Sequence, residues 1–312
     1  MNSHMPSAAI SLSGRRRQVT LVRIRMAGFD DTRAFDDIVE LLCAAFEELG
    51  WDVRVSTNAC AAEGFNIIVG ANVLGRMAET DRPQLPPNSI VWNLEQVARD
   101  NPRMSAHYVK LLRMFPVWDY SAKNIERLKR DFAVDHAVLL RLGHMPRMRR
   151  IARAEQDIDV LFYGHISARR QRILSALNDA SLRVETLTDC FGAERDAFIA
   201  RAKVVLNLHY FNFVGVNELV RLSYLLSNAK AVVSEASPAT AIEPDVMACC
   251  AAVPYAGLVD ACIALVRDDD ARRALEARAF AIFSNRDQRE FLRAALSDSC
   301  LAAKSLSPLL LQ

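Results

Sequence analysis

The sequence predicts an α/β protein in which two consecutive, doubly wound parallel sheets face each other across a cleft. The chain has 312 residues, which is the length of about two domains. Short, almost wholly apolar strands alternate with helices of amphipathic periodicity, and this alternation is typical of parallel sheets covered on both faces. It stops once, between residues 143 and 156, where Gly143, Pro146 and several arginines interrupt it. The pattern then restarts, so we expect two domains joined by a hinge.

The elements follow in order from periodicity and from helix-ending residues. After a strand at 18–25, Ile38, Leu42 and Phe46 recur at helical spacing, and Gly50 closes that helix. The first half is predicted to contain strands at 18–25, 52–56, 65–70, 90–94, 115–120 and 136–142, and helices at 32–49, 105–114 and 122–132. The second half is predicted to contain strands at 157–163, 182–187, 203–208, 230–235 and 251–255, and helices at 167–180, 193–200, 217–227, 257–267, 270–283 and 287–303. The expected domains are a disordered leader at 1–17, an N-terminal domain at 18–145 and a C-terminal domain at 157–312, whose last helix is free to pack back on the N-terminal domain.

The composition excludes several classes of protein. Hydrophobic residues make up 51% of the chain and charged residues 24%, which excludes a disordered protein. The net charge of +2 is too small for a protein that coats nucleic acid, so no nucleic-acid partner is expected. No apolar run approaches the roughly 18 residues of a transmembrane helix, although peripheral contact with a membrane stays open. Seven cysteines without a C-x-x-C pair predict a reducing, cytoplasmic compartment.

Familiar nucleotide and metal motifs are absent. There is no G-x-G-x-x-G, and the nearest approach to a P-loop is Gly70-Ala-Asn-Val-Leu-Gly75, which is followed by Arg76 instead of lysine. The six histidines are dispersed, and no Cys/His cluster has the spacing of a metal site. We therefore predict neither a metal nor a resident cofactor.

A candidate anion site lies where the second half begins. The strand that ends in Tyr163 is followed by Gly164 and His165, and a helix then opens with Arg169 and Arg170 in its first turn. A strand, a glycine and a helix N-terminus form an anion site, because free backbone N–H groups and the helix dipole point at the ligand. The two arginines could clamp a diphosphate. The alternative is a solvated arginine pair beside an ordinary turn.

Two further polar groups follow strands of the second half. His209 and Tyr210 come at the carboxyl end of a buried strand, which is where ligands bind in α/β sheets. Glu218 and Arg221 open the next helix, where the carboxylate could accept hydrogen bonds from sugar hydroxyls. The alternatives are a histidine satisfied at the rim of the sheet and a simple i,i+3 ion pair.

In the first half, the apolar strand at 90–94 leads into Glu95. A carboxylate at a strand end that faces the hinge could act on a hydroxyl acceptor. The alternative is a cap at the start of a turn.

Taken together, these segments resemble glycosyltransferases of the two-Rossmann (GT-B) architecture, group 1, including the spore-maturation-like branch. The resemblance spans roughly residues 90 to 290 and is carried by Asp159-Val-Leu-Phe-Tyr-Gly164 with Arg169-Arg170, by 200–209, 221–235, 253–259 and 268–273, and in the first half by 117–124 and 142–146. It departs from the family where Tyr224 stands in place of the second glutamate of the Glu-x7-Glu pattern. A second departure is Asn228-Ala229 in place of a glycine.

The resemblance implies transfer of a sugar from a nucleotide-diphosphate sugar, bound by the C-terminal half, to a glycan or other hydroxylated acceptor, bound by the N-terminal half. It implies that the donor is a co-substrate and that no metal is needed. Glu95 and Glu218 are then the predicted catalytic residues, with Glu95 as general base if the reaction inverts. The predicted donor-binding residues are Gly164, His165, Arg169, Arg170, His209, Tyr210 and Arg221.

Two alternatives remain open from the sequence. One is a non-catalytic binding or scaffold protein of the same architecture that has lost full donor chemistry, for which Tyr224 is the motivation. The other is a sugar-nucleotide epimerase, which would need a pair of acid/base carboxylates that the sequence does not display.

Overall fold

A computed structural model describes residues 17–29, 31–210, 218–237 and 240–306 of the chain. The leader predicted at 1–17 therefore lies outside the described residues except for its last position. The same holds for Asn217, the predicted first residue of one helix.

The first half folds into a parallel sheet that has six strands among the described residues, in the order β2-β1-β3-β4-β5-β6. Its strands are β1 (Gln18–Arg23), β2 (Asp52–Thr57), β3 (Phe65–Val69), β4 (Ser89–Asn93), β5 (Val117–Asp119) and β6 (Ala137–Leu139). Its helices are α1 (Asp36–Glu48), α2 (Ala106–Met114) and α3 (Ala122–Phe132).

The second half folds into a parallel sheet whose described strands have the order β11-β10-β9-β7-β8. Its strands are β7 (Ile158–Tyr163), β8 (Val184–Leu187), β9 (Ala202–Asn207), β10 (Val232–Glu235) and β11 (Ala251–Val253). Its helices are α4 (Ala168–Asp179), α5 (Gly192–Arg201), α6 (Leu219–Ser227), α7 (Pro244–Ala248), α8 (Leu258–Arg267), α9 (Asp269–Phe283) and α10 (Gln288–Leu306).

The predicted fold class is confirmed, and every predicted strand is present. The largest difference in a strand is at 136–142, where only Ala137–Leu139 pairs with β5. The short helix α7 was not predicted, although Pro244 occupies its first turn, a position that proline favours. The first predicted helix starts as a 3-10 turn over Asp31–Phe35 before α1 begins.

Apolar side chains from strands and helices are buried together, which explains why this alternation folds as it does. Ile38, Leu42 and Phe46 of α1 are all buried, as the helical spacing predicts. Trp92 and Trp118, on the neighbouring strands β4 and β5, are among the largest fully buried side chains. Burial of such side chains is the main favourable term in folding of the first half.

The chain passes between the halves twice, and the two passages are hydrogen-bonded to each other. Gly143 N donates to Gln288 Oε1 at 2.7 Å, and His144 N donates to the Arg286 carbonyl at 2.6 Å. Helix α10 then packs against α1, and Trp118 Nε1 donates to Ser299 Oγ at 2.8 Å. The predicted hinge is therefore a pair of crossing segments in contact.

Candidate functional site

The candidate site lies at the carboxyl ends of β7, β9 and β10, which are neighbours in the second sheet. Gly164 follows β7 with a φ of +127°, a conformation that L side chains rarely adopt, and its N–H donates to the Leu187 carbonyl at 2.9 Å. Ser167 then caps α4 by accepting from the Arg170 N–H. The strand, the glycine and the capped helix therefore have the predicted arrangement.

Arg170 is buried, and its guanidinium makes several hydrogen bonds and an ion pair within the protein. Its guanidinium donates to the carbonyls of Leu208 at 3.0 Å and His165 at 2.8 Å, and it forms a 2.6 Å ion pair with Glu218. Burial, partly offset by Glu218, lowers the pKa of Arg170 to about 10. The alternative of a solvated arginine pair is wrong, because Arg170 is only 3% exposed. Its contacts tie the turn after β7 to the end of β9.

Arg169 is also engaged within the protein. Its guanidinium forms a two-pronged ion pair with Glu235, at the end of β10, with one contact of 2.6 Å. The guanidinium lies over the Tyr255 ring, 4.0 Å from the centroid, and the Tyr255 hydroxyl donates to the Arg169 carbonyl. The carboxylate of Glu235 also accepts from the backbone N–H of His209. Arg169 thus holds three strand ends together.

Glu218 is fixed in place by two arginines. One carboxylate oxygen pairs with Arg170, and the other pairs with Arg221 at 2.8 Å. Arg221 also donates to Asn207 Oδ1 at 3.0 Å. Burial by itself would raise the pKa of Glu218, but the charges of Arg221 and Arg170 hold it below its usual value. The carboxylate is therefore ionised and oriented.

Because Gly164 has no side chain, the guanidinium of Arg221 can pack against it. A Cβ built on Gly164 would lie 3.0 Å from Arg221 Nη2. The guanidinium also lies near the faces of the Phe162 and Tyr163 rings. The glycine, the arginine and Glu218 are thus one packed unit.

His209 differs from these arginines because its side chain makes no hydrogen bond to the part of the chain that the structure describes. It is 8% exposed, and neither ring nitrogen has a hydrogen-bond partner among the residues the structure describes. The imidazole lies close enough to Glu218 to influence that carboxylate. A buried imidazole without partners is costly unless a ligand supplies them.

Tyr210 and His165 are exposed, and both contact Arg170. Tyr210 is 38% exposed, and Arg170 lies 5.2 Å from the centroid of its ring. His165 is exposed, and its carbonyl accepts a hydrogen bond from Arg170. The structure therefore brings every predicted residue of the second half to one sheet edge.

Glu95 lies in the first half, after β4, in a polar cluster of its own. It is 6% exposed and accepts from Asn72 Nδ2 at 2.9 Å and from Arg103 Nη1 at 3.1 Å. The Glu95 carbonyl accepts from Asn93 and Asn124, which fixes the backbone of the turn. Its carboxylate is thus held by an amide and a guanidinium.

The two polar clusters influence each other electrostatically. The charge of Arg103, in the first half, contributes to the low pKa of Glu218 in the second. Glu218 in turn contributes to the raised pKa of Tyr120, for which burial is the main cause. The charges of the two clusters are therefore close enough to influence each other.

The sequence reasoning missed several residues of these clusters, chiefly Asp119, Asn72, Arg103 and Glu235. Burial raises the pKa of Asp119 to about 8, although its carboxylate accepts from Asn93 at 2.5 Å and from the Ser121 N–H at 2.8 Å. Most of these residues lie at or just after the carboxyl end of a strand, and that position is the signal that could have found them.

The Tyr224 hydroxyl makes its described contacts away from the candidate site. Its hydroxyl donates to Asp196 Oδ2 at 2.5 Å and accepts from Arg150 Nε at 2.8 Å. Its phenol therefore belongs to a different cluster, at the junction of the two halves.

Two negative findings apply to the described part of the chain. No group of three or more His, Cys, Asp or Glu side chains there is arranged to hold a metal ion. No helix there has the length and hydropathy needed to cross a bilayer.

Comparisons with known proteins give matches in structure only. No family model matches the sequence, and no curated protein matches it. AviGT4, a glycosyltransferase involved in avilamycin A biosynthesis, superposes with a TM-score of 0.58 at 14% identity, over 92% of this chain and 98% of that one. WaaG, a glycosyltransferase involved in lipopolysaccharide biosynthesis, gives 0.55 at 11% identity, over 91% and 99%. HepE from Anabaena, in complex with UDP and glucose, gives 0.55 at 13% identity, over 94% and 100%.

The fold is that of GT-B glycosyltransferases. Because the sequence identities are this low, the similarity is one of fold alone. The assignment of the chain to the spore-maturation-like branch stays a prediction.

Proposed function

We propose that this chain is a glycosyltransferase that moves a sugar from a nucleotide-diphosphate sugar to a hydroxyl-bearing acceptor. The observation that carries the proposal is His209, a buried imidazole whose two ring nitrogens lack partners among the described residues. It is close enough to influence Glu218, a carboxylate fixed by two arginines and also influenced by Arg103, the partner of Glu95. The shared fold, and the UDP and glucose bound by HepE, support this choice of ligand.

In this proposal the donor binds between the end of β9 and the start of α4. His209 donates a hydrogen bond to the leaving diphosphate, helped by the N-terminal dipole of α4. Glu218 accepts from hydroxyls of the transferred sugar, because its fixed, ionised carboxylate is an acceptor only. Arg170 and Arg221 act by holding Glu218, since their described contacts are within the protein.

The acceptor binds on the first half, next to Glu95. If the reaction inverts the anomeric configuration, Glu95 takes the proton of the acceptor hydroxyl as it attacks. Contact between the halves excludes water, which matters because hydrolysis of the donor competes with transfer. No step in this scheme calls for a metal, so we propose metal-independent transfer.

The location proposed for this reaction is cytoplasmic. The cysteines in the described part of the chain, at 43, 60, 190, 249, 250 and 262, are all free thiols, which supports a reducing compartment.

The second candidate, a non-catalytic binding protein, is favoured by one observation. Arg169 and Arg170 already have acidic partners within the protein, so neither offers an uncompensated charge to a diphosphate. Such a protein would bind a nucleotide sugar without turning it over.

Thermal stabilisation by UDP, UDP-glucose, GDP, dTDP and CDP tests the proposal, with donor hydrolysis measured in the same samples and in EDTA. We expect at least one nucleotide to raise the unfolding temperature, and His209→Gln to abolish that shift. His136→Gln is the matched control, because His136 already contacts the Phe115 carbonyl at 2.9 Å in the first half. Absence of stabilisation by every nucleotide would contradict the proposal, whereas binding without turnover would favour the non-catalytic alternative.

A further inference from the structure

A buried cluster of charges joins the two halves of the molecule away from the candidate donor site. Asp37, in the first turn of α1, receives Arg195 from the first turn of α5, with contacts of 2.6 Å and 3.2 Å. Arg150, in the linker, donates to the same carboxylate at 2.8 Å. Asp37 is 7% exposed and Arg195 is 5% exposed. The buried carboxylate of Asp37, in the first half, thus pairs with two arginines that lie outside the first half.

Tyr224 completes the cluster on the second half. Its hydroxyl lies between Asp196 and Arg150, and Arg195 contacts Asp196 at 2.8 Å. The guanidinium of Arg195 lies 4.6 Å from the centroid of the Tyr224 ring. We call these five residues (Asp37, Arg150, Arg195, Asp196 and Tyr224) the interdomain latch.

Breaking the latch leaves charges without partners. Separation of the halves at this point would leave the buried side chains of Asp37 and Arg195 to be hydrated again, and the bidentate contact between them would be lost. Removal of one partner by substitution is strongly unfavourable as long as the halves stay joined, because the remaining charge is then buried without its partner. Loss of the Asp37 charge is therefore expected to disfavour the joined arrangement more than a separated one, in which Arg195 would be hydrated.

The latch is in contact with the candidate site through two elements. Helix α6 carries Tyr224, and its first turn carries Arg221, which pairs with Glu218. The Tyr163 ring also lies between the two groups, 5.6 Å from Arg195 and 5.2 Å from Arg221. Packed side chains thus connect Arg195 with Arg221, which holds Glu218.

We propose that the interdomain latch sets the equilibrium between open and closed arrangements of the cleft, and that its closed state holds α6 where Glu218 meets the donor. The proposed effect of the latch on opening of the cleft does not depend on the proposed function. Its proposed effect on donor binding rests on the function proposed above. In this scheme Asp37 is a positioning residue, because it acts on the site through Arg195 and α6.

Small-angle X-ray scattering of the ligand-free protein tests the opening part directly. Asp37→Asn removes the charge that pairs with Arg195, and we expect an increased radius of gyration from at least a roughly ten-fold rise in the open-to-closed ratio. Asp36→Asn is the matched control, since the neighbouring Asp36 pairs with Arg25 inside the first half. Identical scattering from Asp37→Asn and Asp36→Asn would overturn the proposal.

A second variant protects the test against misfolding. Tyr224→Phe keeps the ring and removes only the hydroxyl contacts to Asp196 and Arg150, so we expect a smaller shift in the same direction. In thermal unfolding, the effects of Asp37→Asn and Arg195→Gln should be non-additive, whereas those of Asp36→Asn and Arg195→Gln should add. Additive effects in both pairs would also overturn the latch.

The coupling to the donor has its own readout. If UDP binds the wild type, Asp37→Asn should weaken its affinity roughly in proportion to the lost closed fraction, while Asp36→Asn leaves it unchanged. Unaltered affinity in Asp37→Asn, together with altered scattering, would refute the coupling and leave the latch. Absence of UDP binding to the wild type bears on the proposed function alone, because scattering is measured without ligand.

Discussion

Replacement of Gly143 by alanine should destabilise the junction between the two halves. A Cβ at this position would lie 2.2 Å from the Arg286 carbonyl oxygen and 3.1 Å from the Phe291 ring, so the two crossing segments must move apart. Overpacking of this kind costs about 1–3 kcal/mol. The movement also weakens the hydrogen bonds from Gly143 N to Gln288 and from His144 N to Arg286, at about 1 kcal/mol each.

The expected loss is therefore about 3–5 kcal/mol in the free energy of unfolding, or several degrees in the unfolding temperature. Urea unfolding followed by far-UV circular dichroism reports on both halves. The three tryptophans, at positions 51, 92 and 118, report on the first half by fluorescence.

Gly257→Ala provides the matched control for this substitution. Gly257 has a φ of −92°, and the nearest atom to the added methyl group would be Val253 Cβ at 3.6 Å, an ordinary contact. We expect that variant to unfold within about 0.5 kcal/mol of the wild type. A Gly143→Ala protein as stable as Gly257→Ala would refute the reasoning that the crossing segments are tightly packed.

Three further substitutions have defined outcomes. Gly164→Ala should lower the free energy of unfolding by about 1–3 kcal/mol, because residue 164 has a φ of +127° and the new methyl group would lie 3.0 Å from Arg221 Nη2. It should also abolish any thermal shift induced by UDP, and an unchanged shift would contradict the packing of Arg221. Arg169→Met leaves Glu235 buried without its ion pair and should cost about 3 kcal/mol, whereas the double variant with Glu235→Gln should recover part of that loss in thermal unfolding. Burial raises the pKa of Asp119 to about 8 in the folded state, so between about pH 4 and pH 8 the folded protein holds a proton that the unfolded chain has lost. The free energy of unfolding should therefore fall by about 1.4 kcal/mol for each unit that the pH rises in this range. Asp119→Asn should flatten that part of the curve of stability against pH.

The course of the chain could be predicted because local pattern and global fold agree. Strands such as β7, which is apolar except at Asp159, have this composition because both faces of a parallel sheet are covered. Helix starts could be located from residues such as Ser105, Ser121 and Ser167, which cap α2, α3 and α4. What escaped prediction was a short helix, α7, which is too brief to display a period of its own.

The candidate site was only partly predictable, because sequence position indicates which sheet edge a residue reaches but not what its side chain contacts. Arg169 and Arg170 were expected to meet a diphosphate, and the structure pairs them with Glu235 and Glu218. That role in donor binding stays a prediction. His209 was one strand-end residue among several, and it was singled out only by its burial without a hydrogen-bond partner in the described ranges.

The sequence by itself determined the alternation of strands and helices, the break near Gly143 and the strand ends at which polar side chains gather. These are local properties, since periodicity, caps and apolar runs depend on neighbours along the chain. Tertiary structure decided that Asp37 meets Arg195 and that Tyr224 belongs to the latch, since these contacts join residues far apart in sequence. Such pairings depend on how two sheets are placed relative to each other, a relation that no local pattern contains.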